Sequence, residues 1–392
     1  MTDIKKFEEY FDLVEKENKE TPYFRTICKD EALKELENIE NPIPLVVSDN
    51  ISTKGIRTTC NSEALRDYIP PFDATVIERF KENGGVILGK TISDEFGVGK
   101  TETSFGTNIA VSKGEGIIGL TTAAKGYFHL GANEYNLYSY SPTYGLASRY
   151  GVFLQAGSIE KIAVISKEYD DLKKAASIII GKDKRDGNTF DLDIDFSEYE
   201  NINLEDITLA ELDITGDFKD ESAALKNTSL NIKSEVMENI KYALPTFEIL
   251  SAGEFATNME KIDGIGLGHR SENYSNFDEL YKNSRSEGMG IDVQEKIMFG
   301  NFVLSGENFQ NYYVQAMKAR TMIKEDFDKI FEKYEFLVAP ISLHYTTAVK
   351  LAGLPSLSIP FNDDGILLIT KEFNDKRLLS LGKEIIKNIK EA

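Results

Sequence analysis

The sequence predicts an α/β protein in which a central sheet is covered by helices on both faces. Three observations carry this reading. Short, wholly apolar runs recur along the chain, within 42–51, at Val86-Ile87-Leu88, at Ile117–Leu120, at Lys161–Ser166 and at Phe336-Leu337-Val338-Ala339, and they read as buried strands. Between them lie stretches whose apolar residues recur every three or four positions, the spacing of a helix face. The two kinds alternate, a pattern that points to a mostly parallel sheet. With 392 residues the chain is long enough to bury its core without disulfides or metals.

In chain order, Ile4, Phe7, Tyr10, Phe11 and Val14 form the stripe of a first amphipathic helix, and a second is expected over Lys29–Ile39. The apolar run after Pro42 is closed by Ser48-Asp49-Asn50, a strand entering a polar loop. Asp73 as N-cap and Gly84-Gly85 as the stop bound a helix over Ala74–Asn83. Further helices are expected at Tyr169–Ile180 and through most of Asp292–Glu332. Ser234–Leu250 and Ser251–Lys261 read as helical, or as strand then helix, and Tyr345–Pro360 returns to the core. No repeat period and no Pro- or Ser-rich linker divides the chain. The expectation is a single domain, 1–392, with N-terminal helices over 1–40, a core over 41–186 and 232–392, and an acidic insertion at 187–231.

Charge narrows the function classes. Sixty-five acidic against 45 basic residues give a formal charge of −20, which argues against a broad surface for the nucleic-acid backbone, so direct nucleic-acid binding is not expected. Asp191 to Glu221 is especially acidic, with Lys219 as its one basic residue, and reads as a solvated surface excursion. No stretch approaches the ~18 apolar residues of a membrane helix, and the charged start of the chain has no signal-peptide core, so a cytoplasmic protein is expected. Cys28 and Cys60 are too few for a disulfide framework or a Cys-based zinc site, and His129, His269 and His344 are too scattered for a ligand set. No cofactor and no metal is expected.

Some motifs tempt. Gly84-Gly-Val-Ile-Leu-Gly89-Lys90-Thr91 has the spelling of a phosphate-binding loop, yet its interior Val-Ile-Leu belongs in a strand, where no phosphate cradle forms. Lys90 at the end of that strand is expected to pack its stem and expose its head. Cys60 reads as a small buried thiol, and Tyr135, Tyr138, Tyr140 and Tyr144 read as packing residues rather than base-stacking ones.

Several colinear passages carry a resemblance. They are Gly89-Lys-Thr-Ile-Ser-Asp-Glu-Phe96 with Thr101-Glu-Thr-Ser-Phe-Gly106, then Ser141-Pro-Thr-Tyr-Gly145, Ser148-Arg-Tyr-Gly151 and Ser158-Ile-Glu-Lys-Ile162. Ile262-Asp-Gly264, Gly268-His-Arg270, Ser284-Arg-Ser-Glu-Gly288 and Lys350-Leu-Ala-Gly-Leu-Pro355 follow. Together they resemble the amidase signature family and, within it, the A subunits of tRNA-dependent amidotransferases. The resemblance runs from about residue 42 to 362, missing mainly 188–232. It implies an amidase-type fold with a mixed central sheet, and as partners the B, C or A subunits of an amidotransferase.

It also implies where chemistry should sit, since the family hydrolyses amides with a Ser, cis-Ser, Lys triad and a backbone oxyanion hole. The motif position of the lysine falls on Ser48 in Ile43-Pro-Leu-Val-Val-Ser-Asp-Asn50, and that of the nucleophilic serine on Tyr127. The stretch between Gly106 and Gly119 is too short for the loop of the bridging serine. The arginine that grips a substrate carboxylate is matched by Lys296 in Glu295-Lys296-Ile-Met-Phe-Gly300, and the aspartate for the substrate amine by Leu343. On this pattern the expectation is no enzyme but a catalytically inactive amidase-like scaffold or regulatory partner. The alternative is a working amidase or amidotransferase subunit, or a small-ligand binder, with a rebuilt pocket near Tyr127 formed from Thr121, Thr122, Lys125, Tyr127, His129 and Lys296. Lys90, Lys100, Lys113 and Lys125, with Ser93, Ser104, Ser112, Thr121 and Thr122, are the raw material for a replacement Ser–Lys pair.

Overall fold

The computed structural model describes residues 4–99, 106–123, 125–192, 194–213, 230–361 and 365–391. Lys100, Ser104 and the rest of the 101–105 passage, Ala124, and parts of the acidic segment at 193 and 214–229 lie outside the described residues.

The strands are β1 (Phe24–Ile27), β2 (Ile43–Ser48), β3 (Gly85–Thr91), β4 (Ile118–Ala123), β5 (Tyr138–Ser141), β6 (Lys161–Ser166), β7 (Thr208–Asp213), β8 (Asn231–Val236), β9 (Phe336–Pro340), β10 (Ser356–Ile359) and β11 (Ile366–Thr370). They form one sheet in the order β1-β3-β2-β4-β6-β5-β10-β11-β9-β7-β8. Pairing is parallel for β2 with β3 and β4, and for β7 with β8 and β9. The other neighbours are antiparallel, so the sheet is mixed as the resemblance implies, and not mostly parallel as the alternation suggests. The connection from β10 to β11 shows why, since a handful of residues can join antiparallel strands but not carry a parallel crossover.

The helices are α1 (Ile4–Glu20), α2 (Lys29–Asn38), α3 (Thr75–Glu82), α4 (Gly106–Ser112), α5 (Tyr127–Glu134), α6 (Tyr169–Ile179), α7 (Ala243–Asn258), α8 (Phe277–Gly288), α9 (Ile291–Leu304), α10 (Val314–Phe331), α11 (Leu343–Ala352) and α12 (Asp375–Glu391). Successive strand side chains point to opposite faces. Leu45, Val47, Ile87, Val164 and Val338 therefore pack against α3, α6 and α12. Their neighbours divide between two helical groups on the other face. Val46, Val86, Leu88, Ala163 and Ile165 meet α1, α2, α4 and α5, whereas Leu337, Ala339, Leu367 and Ile369 meet α7, α10 and α11. Both faces are covered, which is why the strand runs read as continuously apolar.

Two local expectations are corrected. Asp73 does not cap α3: Ala74 is the N-cap, and the Asp73 carboxylate accepts from the Lys54 amide at 2.7 Å and from Lys81 at 2.8 Å. The acidic segment is not wholly a surface excursion, because Leu209, Ala210 and Leu212 bury their side chains and β7 joins β9 to β8 inside the sheet. The motif spelled like a phosphate loop is strand β3, buried at every position.

Candidate functional site

A cavity of about 320 Å³ opens between the two helical groups. The sheet contributes Ser48, Asn50, Thr121 and Thr122 from the ends of β2 and β4, α4 and α5 contribute Asn108 and Tyr127, and α7 and α9 contribute Glu248 and Lys296.

The loop after β2 is held from two sides. The Asp49 carboxylate accepts from the Thr59 amide at 3.0 Å and from the Thr59 hydroxyl, and burial raises its pKa. Behind it, Lys90 donates to the Ile51 carbonyl, to Thr53 Oγ1 at 3.1 Å and to Thr58 Oγ1 at 3.3 Å. Lys90 is fully buried, not exposed at its head, and burial holds its ammonium down at about 8. Between these anchors Asn50 donates through Nδ2 to Thr122 Oγ1 at 2.6 Å, and Thr122 Oγ1 donates to Glu160 Oε1 at 2.7 Å. Glu160 also accepts from the Gln155 amide at 2.6 Å, and its burial raises its pKa. The result is an amide, hydroxyl and carboxylate in line at the cavity wall, with the hydroxyl proton directed at the carboxylate. Asn50 Oδ1 and Asn108 Oδ1 are buried acceptors with no hydrogen-bond partner among the described residues.

The turn into α5 sets the opposite wall. Gly126 caps α5 with φ +85°, and a Cβ there would meet Thr346 at 2.6 Å, so both the backbone and the approach of α11 require glycine. Lys125 pairs with Glu248 and lies 5.9 Å from the Tyr127 ring centroid. Lys296 donates to Ser251 Oγ at 2.9 Å and stands 3.6 Å from the same Glu248. Burial lowers its pKa to about 8, with Lys125 lowering it further and Glu248 opposing. At neutral pH a fraction of this amine is unprotonated, a base or donor within the cavity.

Of the residues expected from sequence, Ser48, Thr121, Thr122, Lys125, Tyr127 and Lys296 come together here. His129 does not. Its ring is buried on the inner side of α5, with Nδ1 2.7 Å from Ser139 Oγ and Nε2 2.9 Å from Ser356 Oγ. Burial, with Lys350 and Lys161 near, pushes its pKa well below the ordinary value, so it is a neutral core residue. As a residue two positions past Tyr127 on a helix, it points away from the side that faces the cavity. Lys113 pairs with Glu17 at the surface, and Ser112 bonds its own helix. Cys60 is the buried thiol expected. Sequence reasoning missed Asn50, Asn108, Glu160 and Glu248. Asn50 and Glu160 carried a signal, the first closing the run Ile43–Asn50 and the second lying inside Ser158-Ile-Glu-Lys-Ile162.

A mixed sheet with this helical cover and a polar cavity over the ends of β2 and β4 defines an amidase-type protein. The family model described as Amidase matches residues 7–111 and 132–348, and the chain belongs to that family. The match breaks over the stretch that holds Thr121, Thr122, Lys125 and Tyr127. Among curated relatives, the glutamyl-tRNA(Gln) amidotransferase A subunit of Saccharolobus solfataricus is 32% identical over 376 residues, covering 82% of this chain and 79% of the relative. The protein of the same name from Archaeoglobus fulgidus is 32% identical over 413 residues, covering 91% and 90%. The crystal structure of the corresponding Thermotoga maritima protein superposes with a TM-score of 0.75 at 25% identity, covering 98% of this chain and 91% of that one. These relatives overturn the expectation of an inactive scaffold. Proteins named as amidotransferase subunits match along most of the chain, and they favour the alternative, an amidotransferase subunit. None of the described helices is long and apolar enough to cross a membrane.

Proposed function

We propose that the chain is an A-type amidotransferase subunit that works in the cytoplasm with B, C or further A subunits to amidate glutamyl-tRNA(Gln), using a rebuilt pocket near Tyr127 for a small amide. The observation that carries this is the cavity itself. It gathers Ser48, Thr121, Thr122, Lys125, Tyr127 and Lys296, and it presents the Thr122 hydroxyl to the Glu160 carboxylate at 2.7 Å. A hydroxyl with a carboxylate acceptor is the geometry that nucleophile activation requires, and the Lys296 amine beside Glu248 is a donor for a bound carbonyl. A role within a complex is supported by an apolar exposed face on α9, where Ile291 is 69% and Met298 72% exposed, with Phe302 beside them.

The test is the conversion of glutamyl-tRNA(Gln) to glutaminyl-tRNA by the chain assembled with its partner subunits, with glutamine, other primary amides or ammonium supplied. Product is expected with an amide donor. Thr122→Val and Lys296→Met should lower the amide-dependent rate at least about a hundredfold, the lower end of what an acid–base group contributes. Ammonium-dependent product should persist in both variants. An assembled complex that makes no product from any donor defeats the reading.

A further inference from the structure

We infer that Asn50 is a positioning residue that aims the Thr122 hydroxyl proton at Glu160, an inference that rests on reading Thr122 as the nucleophile of the cavity. A hydroxyl donates its one proton to whichever neighbour accepts, so its activation depends on which neighbours accept and which donate. Thr122 Oγ1 stands 2.6 Å from Asn50 Nδ2 and 2.7 Å from Glu160 Oε1. Were the Asn50 amide turned over, its oxygen would compete for the proton and draw it away from Glu160.

The direction of the amide is fixed from outside the pair. Asn50 Nδ2 also donates to the Phe153 carbonyl at 3.2 Å, and a carbonyl only accepts. Turning the amide over would set two oxygens against each other there. Phe153 is itself held to the same residue, because its N–H donates to the Asn50 carbonyl at 2.9 Å. The Asn50 nitrogen thus gives one hydrogen to Phe153 and the other to Thr122, and Glu160 is left as the acceptor for the hydroxyl proton among the described residues. This arrangement has a visible cost. Asn50 is 7% exposed, yet its Oδ1 has no partner among the described residues, and a bare buried acceptor is destabilising. Glu160 is oriented as firmly, since its Oε2 accepts from the Gln155 amide at 2.6 Å and its Oε1 is turned to Thr122.

The test is sulfonylation of the full chain by phenylmethanesulfonyl fluoride, read by peptide mass mapping. The Thr122 oxygen bonds to sulfur, the S–F bond breaks, fluoride leaves and the hydroxyl proton passes to Glu160. In the wild type Thr122 should be labelled. Asn50→Leu should slow the labelling step at least about tenfold while changing the half-saturating reagent concentration less than about twofold. Asn50→Asp, which keeps the shape but turns an acceptor towards Thr122, should slow it at least as much. The deciding background is Glu160→Gln. With the carboxylate gone, adding Asn50→Leu should slow labelling little further, whereas a merely structural role for Asn50 would multiply the two losses. Multiplied losses, or a wild-type rate in Asn50→Leu, overturn the inference. An unlabelled Thr122 in the wild type overturns it as well, by removing the nucleophile, and amide-dependent product from the assembled complex would then still uphold the subunit reading.

Discussion

Lys90 decides the shape of the cavity wall from a place where no ligand reaches. Its ammonium is buried on β3 and satisfies a carbonyl and two threonine hydroxyls of the loop that carries Asn50. Lys90→Met would leave those acceptors unpaired, at a cost of about 3 kcal/mol, and should lower the melting temperature by several degrees. A circular-dichroism melt checks this, and an unchanged midpoint would mean that the loop holds itself. The buried head was not legible in the sequence. Periodicity marks Lys90 as the end of an apolar run, but whether its tip meets water depends on the loop from Ile51 to Thr58, which folds back over it. His129 shows the same limit, since its nearness to Tyr127 along the chain places it on one helix and says nothing of which neighbours that helix will meet.

Among the elements, the α7–α9 contact positions Glu248 and Lys296 together. Gly300 makes it close: a Cβ there would lie 2.1 Å from the Ala252 carbonyl oxygen and 2.7 Å from Ala256 Cβ. Gly300→Ala must push α9 away from α7, which costs about 1–3 kcal/mol for overpacking and moves Lys296 out of reach of Glu248. The expected outcome is a lower melting temperature together with a higher Lys296 pKa as water reaches the amine, read by reactivity of its side chain toward an acylating reagent across pH 7–10. Retention of the wild-type titration would show that the pair does not depend on this contact. The helices themselves were legible, with α2, α3 and α6 expected within a residue or two of their bounds and α1 marked by its stripe, because their apolar spacing is local. The approach of α7 to α9 was not, because a glycine reads alike at a turn, a cap or a crossing.

Across the whole molecule, the buried amines make stability depend on pH in an unusual direction. Burial depresses Lys90 to about 8, Lys161 to about 7 and Lys296 to about 8, while in the unfolded chain each titrates near 10.4. Between those values the unfolded state binds more protons at the amines, so stability rises with pH from about 7 towards 9, above which the buried Cys28 and Cys60 thiols, held up by burial, act in the opposite sense. Each group contributes on the order of 1 kcal/mol per pH unit within its window. Chemical denaturation at pH 7, 8 and 9 should therefore show increasing stability, with a shallower rise in Lys161→Met. A flat or falling profile in the wild type would show that these amines stay solvated.

Local chemistry along the chain is enough to place the five apolar strands β2, β3, β4, β6 and β9, the amphipathic helices and the family. Continuous apolar runs can only be satisfied as buried strands, amphipathic spacing can only be satisfied with one face covered, and the colinear motifs from Gly89 to Pro355 survive without reference to shape. The strand order, the antiparallel majority of pairings, the place of β7 inside an acidic segment and the membership of the cavity come only from the packed layers. Thr122 meets Asn50 across 72 positions of chain, and Lys296 meets Ser251 across 45. Contacts over such separations follow from how whole layers stack, and no short stretch of residues contains that information.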